Sequence, residues 1–186
     1  MIKYIINELE KNQIIAQNMS EIYSYGLTII FLKCTHVLFF ITFGIVNNIG
    51  WEMFFFLIFF SEFRQYCGGF HAKTSNRCFL ITIIVSVLFK VYCILNLMAL
   101  QMLVISIISM TVIFVVGPVD TFTKQFSQND IIKYEKKIKI LMPLFLVLVI
   151  VMYILLYRKS YLVGFSYACF IQMIFSLCGI IKKRRG

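Results

Sequence analysis

Apolar stretches of about 20 residues recur along the chain and are separated by short polar segments. A helix of that length spans the hydrocarbon core of a bilayer. The 186 residues are 61% hydrophobic and include 20 phenylalanines, a composition that excludes an ordinary soluble domain. In a bilayer every backbone polar group must be satisfied internally, and helices do this. The sequence therefore predicts an all-α, polytopic bundle of about six transmembrane helices.

Turn-forming and charged residues mark the ends of these predicted spans. Residues 47–50 and 93–98 are predicted turns, and Pro118 ends another apolar run because proline lacks a backbone donor. The second span is short for a bilayer, so we expect it to tilt or to thin the membrane locally. The predicted spans are residues 27–46, 51–63, 78–96, 99–116, 141–157 and 161–181.

The N-terminal segment differs from the spans that follow it. Over residues 2–25, isoleucine and leucine recur at helical spacing among polar residues, which predicts an amphipathic helix in the membrane interface. We expect no cleavable signal peptide, because the segment lacks a long apolar core. The whole chain, residues 1–186, is expected to form one membrane domain. Its parts are the N-terminal segment 1–26, the bundle 27–181 and a basic tail 182–186.

The charge balance is strongly basic, with a net charge of +10. Six spans place both termini on one side, with fourteen Lys and Arg residues there and two, Arg158 and Lys159, on the other. Because cytoplasmic loops carry such an excess, both termini and the polar stretch at 64–77 are predicted to face the cytoplasm. A basic patch that binds nucleic acid commonly has aromatic residues interleaved with its basic ones. Here the aromatic residues lie inside apolar spans, so nucleic acid is not an expected partner. The lipid bilayer is the expected surrounding.

One polar stretch, Glu62–Cys78, interrupts the apolar pattern and contains two glycines, a histidine and two cysteines. We expect it to form a re-entrant or loop segment at 64–77. Polar backbone at membrane depth is tolerated only where protein or water satisfies it, so such a segment is a candidate functional site.

Cys78 and His71 are the predicted catalytic pair, a nucleophile and its general base. Seven residues correspond to about 10.5 Å of rise on a straight helix, whereas proton transfer requires about 3 Å. The chain must therefore fold back, and Gly68 and Gly69 supply the flexible backbone. A helix capped by Thr74, Ser75 or Asn76 would place Cys78 in its first turn, where the helix dipole favours a thiolate.

At these residues a family resemblance emerges. The ordered set resembles the signature of the accessory gene regulator B family, bacterial membrane endopeptidases that process the precursor of a cyclic autoinducing peptide in quorum sensing. The resemblance implies a bacterial cell membrane location, a peptide precursor as partner, and a thioester acyl-enzyme on Cys78. The substrate's own thiol or hydroxyl would then release a thiolactone or lactone. The matching residues are Arg64, Gly68, Gly69, His71, Ala72 and Cys78.

The family pattern also extends to a second site, where Gly117 and Pro118 precede Asp120. This match is partial, because the family usually continues with a Lys-Pro pair and this chain has Lys124 and Gln125. Asp120 is a candidate site residue and a plausible helix cap. The lysines that follow, between residues 133 and 139, are interpreted as a basic cytoplasmic loop that marks topology or contacts an acidic peptide or anionic lipid.

Supporting roles are predicted for residues around the pair. Arg64 is expected to bind a substrate carboxylate or stabilise the oxyanion, and Gly68 and Gly69 to offer backbone N–H groups. Glu62 is a candidate third group that orients His71; pairing with Arg64 or Arg77 is its alternative. Ser75 is a candidate cap and site residue.

Several alternatives remain open in the sequence. Cys67 lies four residues before His71 and is an alternative nucleophile. Cys67, His71 and Cys78 are possible metal ligands, but no clear fourth ligand follows, so no metal and no cofactor is expected. A small transporter or channel whose broken polar segment lines a pathway is the alternative function. A homodimer is plausible for the resembled family.

Overall fold

The computed structural model describes residues 2–16, 19–70, 74–119, 126–155 and 159–184, and the side chains of residues 75, 76, 155, 159, 183 and 184 are not included. In these residues the structure contains seven α-helices and no strand. The helices are α1 (Ile2–Lys11), α2 (Ser20–Val46), α3 (Gly50–Cys67), α4 (Ser75–Ile94), α5 (Ala99–Val116), α6 (Gln128–Leu155) and α7 (Lys159–Arg184).

Five of the helices are long and apolar enough to cross a membrane, namely α2, α4, α5, α6 and α7. The predicted all-α, multi-pass membrane architecture is confirmed. The turn predicted between the third and fourth spans is also present, because α4 ends at Ile94 and α5 begins at Ala99. Helix α3 is not one of the five, so a sixth crossing stays a prediction.

The end of α3 corrects the predicted start of the polar loop. The loop was predicted from residue 64, but the helix continues to Cys67. Phe59, Phe63 and Cys67 recur every four residues and are all buried, so one continuous packed face carries the helix past its apolar part. The described non-helical part of the stretch is therefore residues 68–70 and residue 74.

Helix α6 corrects a second boundary, because the predicted basic loop is helical. The helix begins at Gln128, well before the predicted span at 141–157, and contains Pro143. A reciprocal cap begins it: the Asp130 N–H donates to Ser127 Oγ at 3.2 Å and the Ser127 N–H donates to Asp130 Oδ2 at 3.2 Å. This local cap was not recognised in the sequence.

The chain separates into two compact units, Met1–Phe39 and Phe40–Gly186. In the first unit, α1 buries Ile6 and exposes Tyr4 and Ile5. The amphipathic helix ends at Lys11, and α2 already begins at Ser20, so the predicted interfacial helix over 2–25 is shorter than expected. The expectation that residues 1–186 form a single domain stays a prediction.

The second unit is built around α7. Of its membrane-length segment, 56% is buried, against 28% or less for α4, α5 and α6, so α7 lies at the centre. Helix α3 packs chiefly against α7. Where α3, α4 and α7 meet, the ring centroids of Phe56, Phe89 and Tyr167 lie 4.9–5.3 Å apart. The Tyr167 hydroxyl donates to the Val85 carbonyl at 2.8 Å, so this buried polar group is satisfied.

The close contact of α3 with α7 gives a test of this packing. A Cβ at Gly164 would lie 2.6 Å from the Glu52 carbonyl oxygen and 2.8 Å from the Phe56 nitrogen, both backbone atoms. We expect Gly164→Ala to force the helices apart and to lower the unfolding free energy by about 1–3 kcal/mol. Thermal unfolding in detergent measures the loss.

The matched control is Gly50→Ala, because a Cβ there would have no described atom within 4 Å apart from its chain neighbours and the backbone of its own helix. Its Tm is expected to stay close to that of the parent chain. Equal Tm values for Gly164→Ala and the parent chain would contradict the packing described.

Candidate active site

A tight turn follows α3 and requires two glycines. Gly68 has φ 64° and Gly69 has φ 95°, conformations that residues with a side chain rarely adopt. A Cβ at Gly68 would overlap the Val119 carbonyl oxygen, and one at Gly69 would lie 2.8 Å from the Phe175 carbonyl oxygen. Both glycines therefore permit a close approach of other backbone segments. The predicted fold-back that would bring His71 to Cys78 stays a prediction, because His71 lies outside the described residues.

Backbone hydrogen bonds fasten this turn on two sides. The Val119 N–H donates to the Cys67 carbonyl at 3.0 Å, and the Gly69 N–H donates to the Val119 carbonyl at 3.0 Å. The Phe70 N–H donates to the Phe175 carbonyl of α7 at 2.9 Å. The turn is thus held between the segment that follows α5 and the centre of the bundle.

The Arg64 side chain stabilises the turn by hydrogen bonds to two of its carbonyls. Its Nη1 donates to the Gly68 carbonyl at 2.7 Å and its Nη2 donates to the Phe70 carbonyl. Its guanidinium carbon lies 4.9 Å from the centre of the Phe175 ring. Burial lowers the pKa of Arg64 to about 10, whereas negative charge on Cys78 or Cys67 would raise it. The guanidinium therefore stays charged near neutral pH and attracts an anion at either sulfur.

Gln172 of α7 is a buried residue of this site that the sequence analysis missed. Its Nε2 donates to the Gly68 carbonyl at 3.1 Å and to Ser176 Oγ at 3.2 Å. Its Oε1 is buried without a hydrogen-bond partner in the described part of the chain. A polar side chain inside an apolar span is itself a signal of function, and that signal was available at this position.

Cys78 lies in the first turn of α4, as predicted. The helix is capped by Thr74, whose side chain accepts the Arg77 N–H at 3.4 Å, and the Cys78 N–H donates to the Thr74 carbonyl at 3.0 Å. The Cys78 side chain is exposed. A thiol at a helix N-terminus lies where the dipole favours negative charge.

Cys78 and the turn meet at one cavity. Arg64, Phe70 and Cys78 all line this cavity of about 90 Å³. The residue that directly follows Phe70 in the sequence is His71. The structure therefore brings the candidate nucleophile to the same space as the anchored residue before the candidate base.

Comparison with known proteins is decisive for the family. The sequence model of the family described as "Accessory gene regulator B" matches residues 2–177. This chain belongs to the accessory gene regulator B family. The family is known for processing autoinducing peptides in quorum sensing.

Within the family, the chain is 32% identical over 127 residues to the AgrB-like protein 2 of Clostridium perfringens (strain 13 / Type A). The match covers 64% of this chain and 56% of the relative, so the chain spans about half the length of the curated relative it matches. No solved structure matches the chain.

For an accessory gene regulator B protein with two cysteines in its signature stretch, burial separates the two thiols. Cys67 is 1% exposed, and burial raises the pKa of its thiol to about 12, against the opposing effect of Arg64. A thiol in that state is protonated near neutral pH and inaccessible, which disfavours Cys67 as the nucleophile.

The other predicted site residues of this family member stand as follows. Glu62 is half-buried, and no ion pair joins it to Arg64 or Arg77 in the described residues. The Gly69 N–H is engaged by Val119, so its proposed oxyanion role would require that bond to open. His71, Asp120 and the side chain of Ser75 lie outside the described residues, and their roles remain predictions. Within the described ranges, no three His, Cys, Asp or Glu residues cluster as metal ligands.

The contrast between the two thiols predicts selective alkylation. At pH 8, we expect iodoacetamide to modify Cys78 in the native protein and to leave Cys67 unmodified, because only the first is exposed. Raising the pH to 9 should not change this, since the pKa of Cys67 is about 12. Peptide mass spectrometry after the reaction measures both sites. Modification of Cys67 before Cys78 would contradict the assignment.

The contacts of Gln172 predict that it anchors the turn. Gln172→Leu keeps most of the volume but removes the hydrogen bond to Gly68, at a cost of about 1–2 kcal/mol. We expect faster hydrogen exchange at the Gly69 and Phe70 amides, measured by mass spectrometry. Gln65→Leu, an exposed change on α3, is the control and should leave those amides protected. Equal exchange in both variants would show that Gln172 does not hold the turn.

Proposed function

We propose that the chain is a membrane cysteine endopeptidase that cleaves a peptide precursor at the cytoplasmic face and releases a cyclic autoinducing peptide. The observation that supports this most is the shared cavity. It joins the exposed Cys78 thiol, the Arg64 guanidinium and Phe70. Phe70 is the residue that directly precedes the candidate base, His71, in the sequence.

The first half of the reaction forms an acyl-enzyme. His71 accepts the thiol proton of Cys78, and the sulfur attacks the carbonyl carbon of the scissile peptide bond. The C–N bond breaks as His71 returns the proton to the leaving amine. The acyl group stays on Cys78 as a thioester. Arg64, which stays charged near neutral pH, lines the same cavity as the attacking sulfur.

The second half closes a ring. A thiol or hydroxyl upstream in the same substrate attacks the thioester carbonyl, the C–S bond to Cys78 breaks, and the proton returns to the Cys78 sulfur through His71. An intramolecular attack of this kind has a high effective molarity and competes with water. A thiol gives a thiolactone and a hydroxyl gives a lactone. The reaction needs no cofactor.

The transporter alternative has less support in the described structure. A pathway would require polar groups along the interior of the bundle. Where α3, α4 and α7 meet, that interior is packed with the aromatic rings of Phe56, Phe89 and Tyr167. We therefore favour the endopeptidase. The excess of Lys and Arg on one side supports a cytoplasmic location for both termini and the site.

Co-expression with a candidate precursor peptide that carries an internal Cys or Ser tests the function. We expect the parent chain to convert it to a product whose mass is that of the cyclic fragment. Cys78→Ala should lower the rate by about 10³-fold or more, and His71→Ala by about 10²- to 10⁴-fold, because each removes a reacting group. Mass spectrometry of cells and medium gives the product.

The matched control is Cys34→Ala, another exposed free cysteine, which should process the precursor at the parent rate. Full processing by Cys78→Ser or Cys78→Ala would overturn the nucleophile assignment. Thiosulfonate labelling of Cys78 from the outer surface only, in intact cells, would overturn the cytoplasmic orientation.

A further inference from the structure

The cavity beside Cys78 continues along α4. Ile81, Thr82 and Val85 line it together with Cys78, and these positions follow the i, i+3, i+4, i+7 spacing of one helix face. The Cys78 sulfur is thus at the start of a strip of side chains about two helical turns long. A group bonded to a carbon under attack by that sulfur would project along the strip.

The strip and the opposite wall are mainly apolar. Phe60 and Phe175 face α4 across the cavity, and Val85 at its inner end is 5% exposed. The Thr82 hydroxyl is used by the backbone, since it donates to the Cys78 carbonyl at 3.1 Å. Arg64 directs one donor on Nη1 and one on Nη2 to carbonyls of the turn. Among the described residues, the lining therefore favours an uncharged, apolar occupant.

The volume of the cavity limits that occupant. A dry cavity of roughly 150 Å³ lined by aliphatic and aromatic side chains holds a benzene molecule. The cavity here is about 90 Å³, which is smaller. A branched aliphatic side chain fits that space, whereas an aromatic ring would require its walls to move. A methyl group would leave most of it empty.

We propose that this cavity binds the side chain of the substrate residue whose carbonyl Cys78 attacks, and that it selects an aliphatic side chain of leucine size over alanine and over an aromatic residue. The proposal rests on the proposed function, because it requires Cys78 to react with a carbonyl compound. Ile81 and Val85 are the specificity-determining residues.

Peptidyl chloromethyl ketones test this without knowledge of the precursor. The Cys78 sulfur attacks the methylene carbon, an S–C bond forms, the C–Cl bond breaks, chloride leaves, and the thiol proton passes to the base or to water. The acetyl-alanyl, acetyl-leucyl and acetyl-phenylalanyl reagents differ only in the side chain beside the ketone. The protein is used whole, in vesicles and in short-chain detergent, and peptide mass spectrometry follows the modification of Cys78.

We expect the leucyl reagent to modify Cys78 roughly tenfold faster than the alanyl and phenylalanyl reagents. Mixing the reagents in one reaction gives the ratio directly, so the ratio does not depend on how much of the protein is folded. Equal rates for the three reagents would overturn the proposal. A leucine preference seen in detergent but absent in vesicles would also overturn it, because the cavity would then hold lipid.

Two changes at Val85 should move the ratio in opposite directions. Helical side chains point towards the preceding turn, so Val85→Phe would fill the cavity towards Cys78 and bring the leucyl-to-alanyl ratio close to one. Val85→Ala would enlarge it and raise the phenylalanyl rate relative to the leucyl rate. Val87→Phe and Val87→Ala, on the exposed face of the same helix, are the controls and should keep the parent ratios.

Failure of this proposal is distinguishable from failure of the proposed function. His71→Ala should slow all three reagents by the same factor and leave their ratios unchanged. Unchanged rates in His71→Ala, with the leucine preference intact, would overturn the catalytic pair and leave the cavity assignment standing. Slower rates in His71→Ala, with no preference in the parent chain, would do the reverse.

Discussion

The site depends on the hydrogen bonds that the Arg64 side chain, near the end of α3, donates to backbone carbonyls of the turn. Where the helix stops, the carbonyls of Gly68 and Phe70 point into the protein rather than into water, and each would cost about 1–3 kcal/mol if it were left unpaired. Arg64 donates to both of them. A guanidinium suits this position because its rigid fork supplies several donors and keeps its charge when it is buried. Burial lowers the pKa of Arg64, but only to about 10.

The same helix that lies at the centre of the second unit also holds the glycine turn after α3. Gly164 of α7 contacts α3. Further along the same helix, three residues contact the glycine turn: Gln172, Phe175 and Gly179. A Cβ at Gly179 would lie 3.2 Å from the Gly69 Cα and from the Phe70 nitrogen, so the two backbones are nearly in contact. Packing of α3 on α7 and placement of the turn are therefore one problem. A displaced α7 would move the residue before His71 as well.

Local signals in the sequence predicted the features that depend on neighbouring residues. Apolar length predicted the helices, and the three candidate cap residues Thr74, Ser75 and Asn76 predicted the place of Cys78 in the first turn of α4. Two boundaries were predicted wrongly, one because it depends on tertiary packing and one because a local cap was not recognised. Helix α3 extends to Cys67 because its buried face continues, and α6 extends back to Gln128 because Ser127 and Asp130 cap each other. A basic sequence between two spans predicts a loop unless that cap is recognised.

The anchoring of the turn could not be predicted from spacing. Gln172 lies 104 residues from Gly68, and no local pattern links them. What the sequence does show is an amide within an otherwise apolar span, a residue that requires a partner. Which partner it meets is set by how α7 crosses α3, and that depends on small residues such as Gly164.

The two cysteines of the site differ in burial, since Cys67 is buried and Cys78 is exposed. Cys67 ends the packed face of α3, where a thiol behaves as a small apolar group and where burial raises its pKa to about 12. Cys78 lies in the first turn of α4 at an exposed position, and it lines the same cavity as the arginine that holds the turn. One cation thus stabilises the backbone and lines the same cavity as the sulfur of the candidate nucleophile. Because the turn fixes Arg64, the charge near Cys78 is preorganised before any substrate arrives, which is the condition under which electrostatic stabilisation lowers a barrier most.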